Sequence, residues 1–155
     1  MNETEKLLLE HFKKELELSI ELLSLLNEEE VALSHQDIQS IPSITSNKNN
    51  LILKFLNLKS LRQNKLSHFG IPRDEPQIGK WITQQKLPEL HQIWENLLLT
   101  LRQCQQINLI NGKMIQQLTL ANRAALQLLV GKDPTQSIYG PGSDIANTSK
   151  FNIRG

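Results

Sequence analysis

Four histidines and one cysteine are the side chains in this sequence best suited to metal or nucleophilic chemistry. A carboxylate-bridged di-iron centre in a helical bundle draws on Glu-x-x-His pairs from facing helices. The residues three before His11, His35, His68 and His91 are Leu8, Ala32, Lys65 and Pro88, so that signature is missing. His11 with Glu15 and His91 with Glu95 are spaced i,i+4, which is ordinary on a solvated helix face, and we read both pairs as surface pairs. Cys104 lies among Gln103, Gln105 and Gln106 with no base beside it in sequence, which suits an inert packed thiol. Gly140-Pro141-Gly142 is a turn without a neighbouring basic residue, so it makes no phosphate loop. These absences lead us to expect a non-enzymatic protein that uses no cofactor and no metal.

Polar residues of another kind stand on the chain's longest pattern. From 87 to 129, apolar residues recur in an unbroken 3,4 alternation: Leu87, Leu90, Trp94, Leu97, Leu101, Cys104, then Ile115, Leu118, Ala125 and Leu129. Asn108, Asn111 and Asn122 occupy the remaining positions of that seam. Such a heptad pattern marks one long helix meeting partner helices along a narrow stripe. At 1.5 Å per residue it spans roughly 65 Å. A buried amide needs partners for both its donor and its acceptor, and one polar seam residue usually suffices to control register. Three asparagines, with Gly112 mid-helix, suggest that the seam divides near Leu101 into a core-forming half and a half that protrudes. A protruding half would present Asn108, Asn111, Gly112, Ile115, Leu118, Asn122, Leu126 and Leu129 to another protein, as in helix-on-helix recognition.

The rest of the chain supplies the elements that would carry that helix. Residues 3–33 have an apolar face too wide for a single seam, which predicts a helix buried by more than one neighbour. Pro42 should end or kink any helix before it, so a second helix is expected from Ser43 to Phe69, stopped by Gly70 and Pro72. A short helix is expected over 76–84, with Trp81 packed on the ends of the long helices. No alternating β-branched run suggests a strand. The expected fold is all-α: an antiparallel bundle of three long helices with a short connecting helix, the C-terminal helix being the longest. Residues 1–131 would form the helical domain and 132–155 a flexible tail, rich in Gly, Ser, Thr, Asn and Pro.

Charge narrows the class of partner. The net charge is +1, without the basic excess of a nucleic-acid or membrane-surface binder. Residues 1–30 hold nine acids against three lysines, so an acidic first helix faces a basic remainder, which favours packing within the chain. A single cysteine suits a reducing compartment, and the longest apolar run is three residues, too short for a signal peptide or a membrane span. A cytoplasmic location is expected.

Specific residues then resemble a known family. Glu30, Ala32-Leu33 and Asp37, followed by Ile41, Lys48, Leu51, Leu56, Arg62 and Gly70, resemble the early portion of FlgN, the type III export chaperones of bacterial flagella. Asn108, Asn111-Gly112 and Ile115, then Asn122, Leu129 and Gly131, are similar to the family's Asn-Gly-x-x-Ile helix. Tyr139-Gly140-Pro141-Gly142 looks like its Tyr-Gly-Pro-Asp-Gly turn, with the aspartate missing. The resemblance implies a cytoplasmic chaperone that binds the C-terminal segments of the hook-associated proteins FlgK and FlgL and prevents their premature assembly. It also implies delivery to the export gate, where Tyr139, Gly140 and Pro141 would contact the cytoplasmic domain of FlhA. An exposed seam would encourage self-association in the absence of client. Two rival readings remain open: a coiled-coil or bundle adaptor, and a four-helix phosphotransfer module that would need a labelled histidine.

Overall fold

The computed structural model describes residues 1–130, which form helices α1 (Glu3–Ser34), α2 (Ile41–Leu66), α3 (Gln77–Thr83) and α4 (Pro88–Val130). No strand occurs among the described residues, and none of their helices is long and apolar enough to cross a membrane. Local chemistry sets the ends. Asn2 caps α1 reciprocally: its Oδ1 accepts from the Glu5 amide at 2.8 Å, while its own amide donates to Glu5 Oε2 at 2.9 Å. The chain leaves α1 through Gln36 at φ 54°, with the Asp37 amide donating to the Ala32 carbonyl at 2.8 Å. α2 starts two residues earlier than Ser43, the start expected from sequence, because Pro42 lies in its first turn. There its missing N–H would have had no partner in any case. The same helix stops at Leu66, and a 3-10 turn over Ser67–Phe69 carries the chain to Gly70, whose φ of 73° is open to glycine at no steric cost.

Pairwise contacts give the direction of each helix. Glu15 meets Arg62 and Glu29 meets Lys48, so α2 runs antiparallel to α1. Phe12 stacks near Trp94 and Asn111 reaches Glu29, so α4 runs parallel to α1. The bundle is therefore up-down-up, and α1 is the helix against which both long partners pack. That central place explains the broad apolar face of α1. Its buried residues include a strict heptad ladder of Leu8, Phe12, Glu15, Ser19, Leu22, Leu26, Glu29 and Leu33. The buried ladder of α4 has the same rhythm: Leu90, Trp94, Leu97, Leu101, Cys104, Asn108, Asn111 and Ile115. Two seams of equal period pack as a parallel coiled coil. α3 closes the lower end, burying Ile78 and Ile82 in the core, with Trp81 packed against it.

The burial of α4 stops where α1 stops. The pairing that sets Glu29 beside Asn111 brings Ser34, the last residue of α1, level with Gln116. Beyond it Leu120, Leu128, Leu129 and Val130 are exposed, Leu128 and Leu129 at 87% and 83%. α4 thus projects past the bundle by about four turns, or roughly 21 Å. The division expected near Leu101 falls instead after Ile115, because α1 is long enough to cover α4 that far.

Candidate functional site

Two sites come out of this packing: a charged interior and an apolar arm. The interior contains two buried ion pairs between α1 and α2. Arg62 grips Glu15 with two nitrogens, Nε to Oε2 at 2.8 Å and Nη2 to Oε1 at 3.2 Å, while its guanidinium lies 4.8 Å from the centre of the Phe12 ring. Lys48 Nζ donates to both Glu29 oxygens, at 3.1 and 3.0 Å, and to Asn108 Oδ1 at 3.3 Å. Asn111 Nδ2 completes the layer, donating to Glu29 Oε1 at 2.8 Å and to the Leu26 carbonyl at 3.0 Å. Glu29, Lys48, Asn108 and Asn111 are each at most 2% exposed. Burial pushes the Glu15 carboxyl above the usual carboxylate range, and Arg62 opposes that shift by attraction and hydrogen bonding. The desolvation cost of the pair offsets much of its attraction, so its net contribution to stability is small although breaking it is costly.

These findings correct several sequence expectations. Glu15 is not half of a surface pair with His11: it is buried against Arg62, because it sits on the inward ladder of α1. Asn108, Asn111 and Ile115 are buried in the bundle, where a partner could not touch them without opening it. The Glu29–Lys48 pair and the backbone of α1 supply partners for Asn108 Oδ1 and Asn111 Nδ2, while Asn111 Oδ1 is buried without one, so the cost of an amide on this seam is met in large part. Gly112 is half-buried beside them. Of the residues expected to face a client, Leu118 and Leu126 are half-buried, while Asn122 and Leu129 are exposed. Tyr139, Gly140 and Pro141 lie outside the described residues, as does the boundary expected at 131.

The sequence does carry a signal for the two ion pairs. Glu15 and Glu29 are two heptads apart, and so are Lys48 and Arg62. Equal spacing of opposite charges on two antiparallel helices brings both pairs into register at once. Lys48 and Arg62 stood among the residues of the family resemblance, but without partners in α1.

The reactive side chains are placed unremarkably. His91 Nε2 lies 2.8 Å from the Gln85 carbonyl, and His35 Nδ1 lies 2.8 Å from the Val31 carbonyl. Burial holds the His11 ring below the usual histidine range, assisted by the positive charges of Lys65 and Lys14. Among the described residues no group of three or more histidine, cysteine or acidic side chains could hold a metal ion. The Cys104 thiol is fully buried, donates to the Ser19 carbonyl at 3.5 Å and is pushed up to about 12. A thiolate therefore forms only at a pH far above neutrality. We expect an aromatic disulfide reagent at pH 8 to leave the native protein unlabelled and to titrate one thiol after denaturation. Fast labelling of the native protein would mean that the α1–α4 seam opens readily.

The second site is the outer end of α4. Its four exposed apolar side chains carry no covering element among the described residues. A helix with bare leucines beyond the end of its bundle can offer apolar area worth about 25 cal/mol per Å² to a partner helix. Compared with known proteins, the chain matches the family model described as FlgN protein over residues 1–145. No curated protein and no solved structure matches it.

Proposed function

Starting from the premise that the chain belongs to the FlgN family of flagellar export chaperones, we propose that it binds the C-terminal segments of FlgK and FlgL in the cytoplasm and hands them to the cytoplasmic domain of FlhA. The observation that supports client binding is the projection of α4 beyond the bundle with Leu120, Leu128 and Leu129 bare. The client platform is then residues 118–130, with Leu118, Asn122, Leu126 and Leu129 as contacts. Asn108, Asn111, Gly112 and Ile115 hold the platform in place from within the bundle. Residues 132–155 act as a tail that reaches the gate through Tyr139, Gly140 and Pro141. Without client, the bare leucines favour weak self-association.

This division of labour has a direct test. Tagged wild-type chain should co-purify FlgK or FlgL from a flagellated cell. Tyr139→Ala should retain the client and weaken binding to the FlhA domain by about tenfold or more, the loss of one aromatic anchor. Equal loss of both partners would contradict the separation of platform from tail. A bundle adaptor of another kind, the rival reading, would keep its function when residues 135–155 are deleted.

A further inference from the structure

The heptad ladders of α1 and α4 raise a problem of register. Both repeat every seven residues, so sliding α4 by one heptad along α1 again sets seam against seam. Most of the seam would tolerate the slide. Leucines and Cys104 exchange places with leucines, and the lower end is marked by one shape-specific contact, Trp94 against Phe12 with ring centres 5.2 Å apart. Among the described residues the upper end has no aromatic contact. What it has is the layer formed by Glu29 of α1, Lys48 of α2, and Asn108 and Asn111 of α4, where all three long helices meet through hydrogen bonds.

We infer that this buried polar layer is a register lock that determines where α4 leaves the bundle, and hence which residues form the projecting arm. A slide of α4 toward its N-terminus would set Ile115 and Leu118 in the places of Asn108 and Asn111, against a buried carboxylate and ammonium. A slide the other way would set Leu101 and Cys104 there. Either slide also carries an asparagine into an apolar level of the seam. Each mismatch leaves Glu29 and Lys48 paired but takes away the α4 amides that bond them, setting apolar side chains against a buried ion pair, which the observed register avoids. One heptad moves α4 by about 10 Å along its axis. That distance is about half of the arm, so a slipped chain would either bury Leu118 and Asn122 beside α1 or pull Ile115 out into solvent. Asn108 and Asn111 are thus positioning residues for the arm. This consequence for clients rests on the proposed function, whereas the lock itself does not.

The test removes the layer and reads register directly. With Cys104→Ala as background, Asn27→Cys and Gln117→Cys place spin labels on exposed positions of α1 and α4. Electron–electron resonance then measures the distance between them. The parent should give one narrow distance distribution. Changing Glu29, Lys48, Asn108 and Asn111 together to leucine should preserve helicity and cooperative melting, since apolar replacement of a whole buried charged group is tolerated. It should add a second distance population, arising from the slide of about 10 Å. Asn111→Leu alone, which leaves the ion pair in place, serves if the fourfold variant does not fold, and should broaden the distribution. A single unchanged distance in the folded variants would overturn the lock. A shifted distance with unaltered affinity for a FlgK C-terminal segment would leave the lock standing and count against the arm as client platform.

Discussion

Glu29→Ala should destabilise the bundle by about 3–5 kcal/mol, the cost of leaving a buried charge without its counter-ion. Lys48 is 1% exposed and would keep only the Asn108 side-chain oxygen at 3.3 Å among the partners of its ammonium described above. Asn111 would lose its 2.8 Å bond to the carboxylate at the same time. Glu28→Ala, one residue away and exposed, should change stability by no more than about 0.5 kcal/mol. Urea titration followed by circular dichroism measures both. A cost for Glu29→Ala as small as that for Glu28→Ala would mean that Lys48 reaches water, and that the layer is not sealed. Removing both charges as Glu29→Leu with Lys48→Leu should restore much of the loss. The pair costs desolvation as well as supplying attraction, so its removal as a unit is far milder than its disruption.

Leu126→Asp combined with Leu129→Asp should weaken the complex with a FlgK C-terminal segment by about 100-fold or more. Each leucine withdrawn from an apolar contact forfeits about 1.5–3 kcal/mol, and 1.4 kcal/mol is a factor of ten in affinity. The same pair of substitutions should leave the melting temperature of the free protein almost unchanged. Leu129 is 83% exposed, and Leu126, although half-buried, lies like it beyond the end of α1, so the bundle core does not depend on either. Titration calorimetry and a thermal melt on one preparation separate the two effects. Retained affinity with an unchanged melt would move the client site onto the bundle.

The contrast between these variants reflects how the chain could be read from sequence. Helices α1, α3 and α4 were legible to within a residue or two because apolar periodicity is a local signal. The start of α2 was misread because Pro42 carries two meanings: it blocks a helix interior, but it fits a first turn. The asparagines were misread for a deeper reason. From sequence, an amide on a seam looks expensive, and its partners are unknown. Here they are a glutamate 82 residues earlier and a lysine 60 residues earlier, which no local pattern connects. Glu29 in turn looks like one of three consecutive acids on a solvated turn until the α1 ladder is counted from Leu8. Projection of α4 was legible in kind but not in extent, since the point of departure depends on how far α1 reaches in the parallel register.

The central claim is that the end of α4, not the bundle, receives the client. Amide hydrogen exchange of the full chain, with and without a FlgK C-terminal segment, tests it most directly. The account predicts new protection confined to residues 118–130, with amides of Glu3–Ser34 and Ile41–Leu66 exchanging as before. Protection spread along α1 or α2, with 118–130 unchanged, would contradict it.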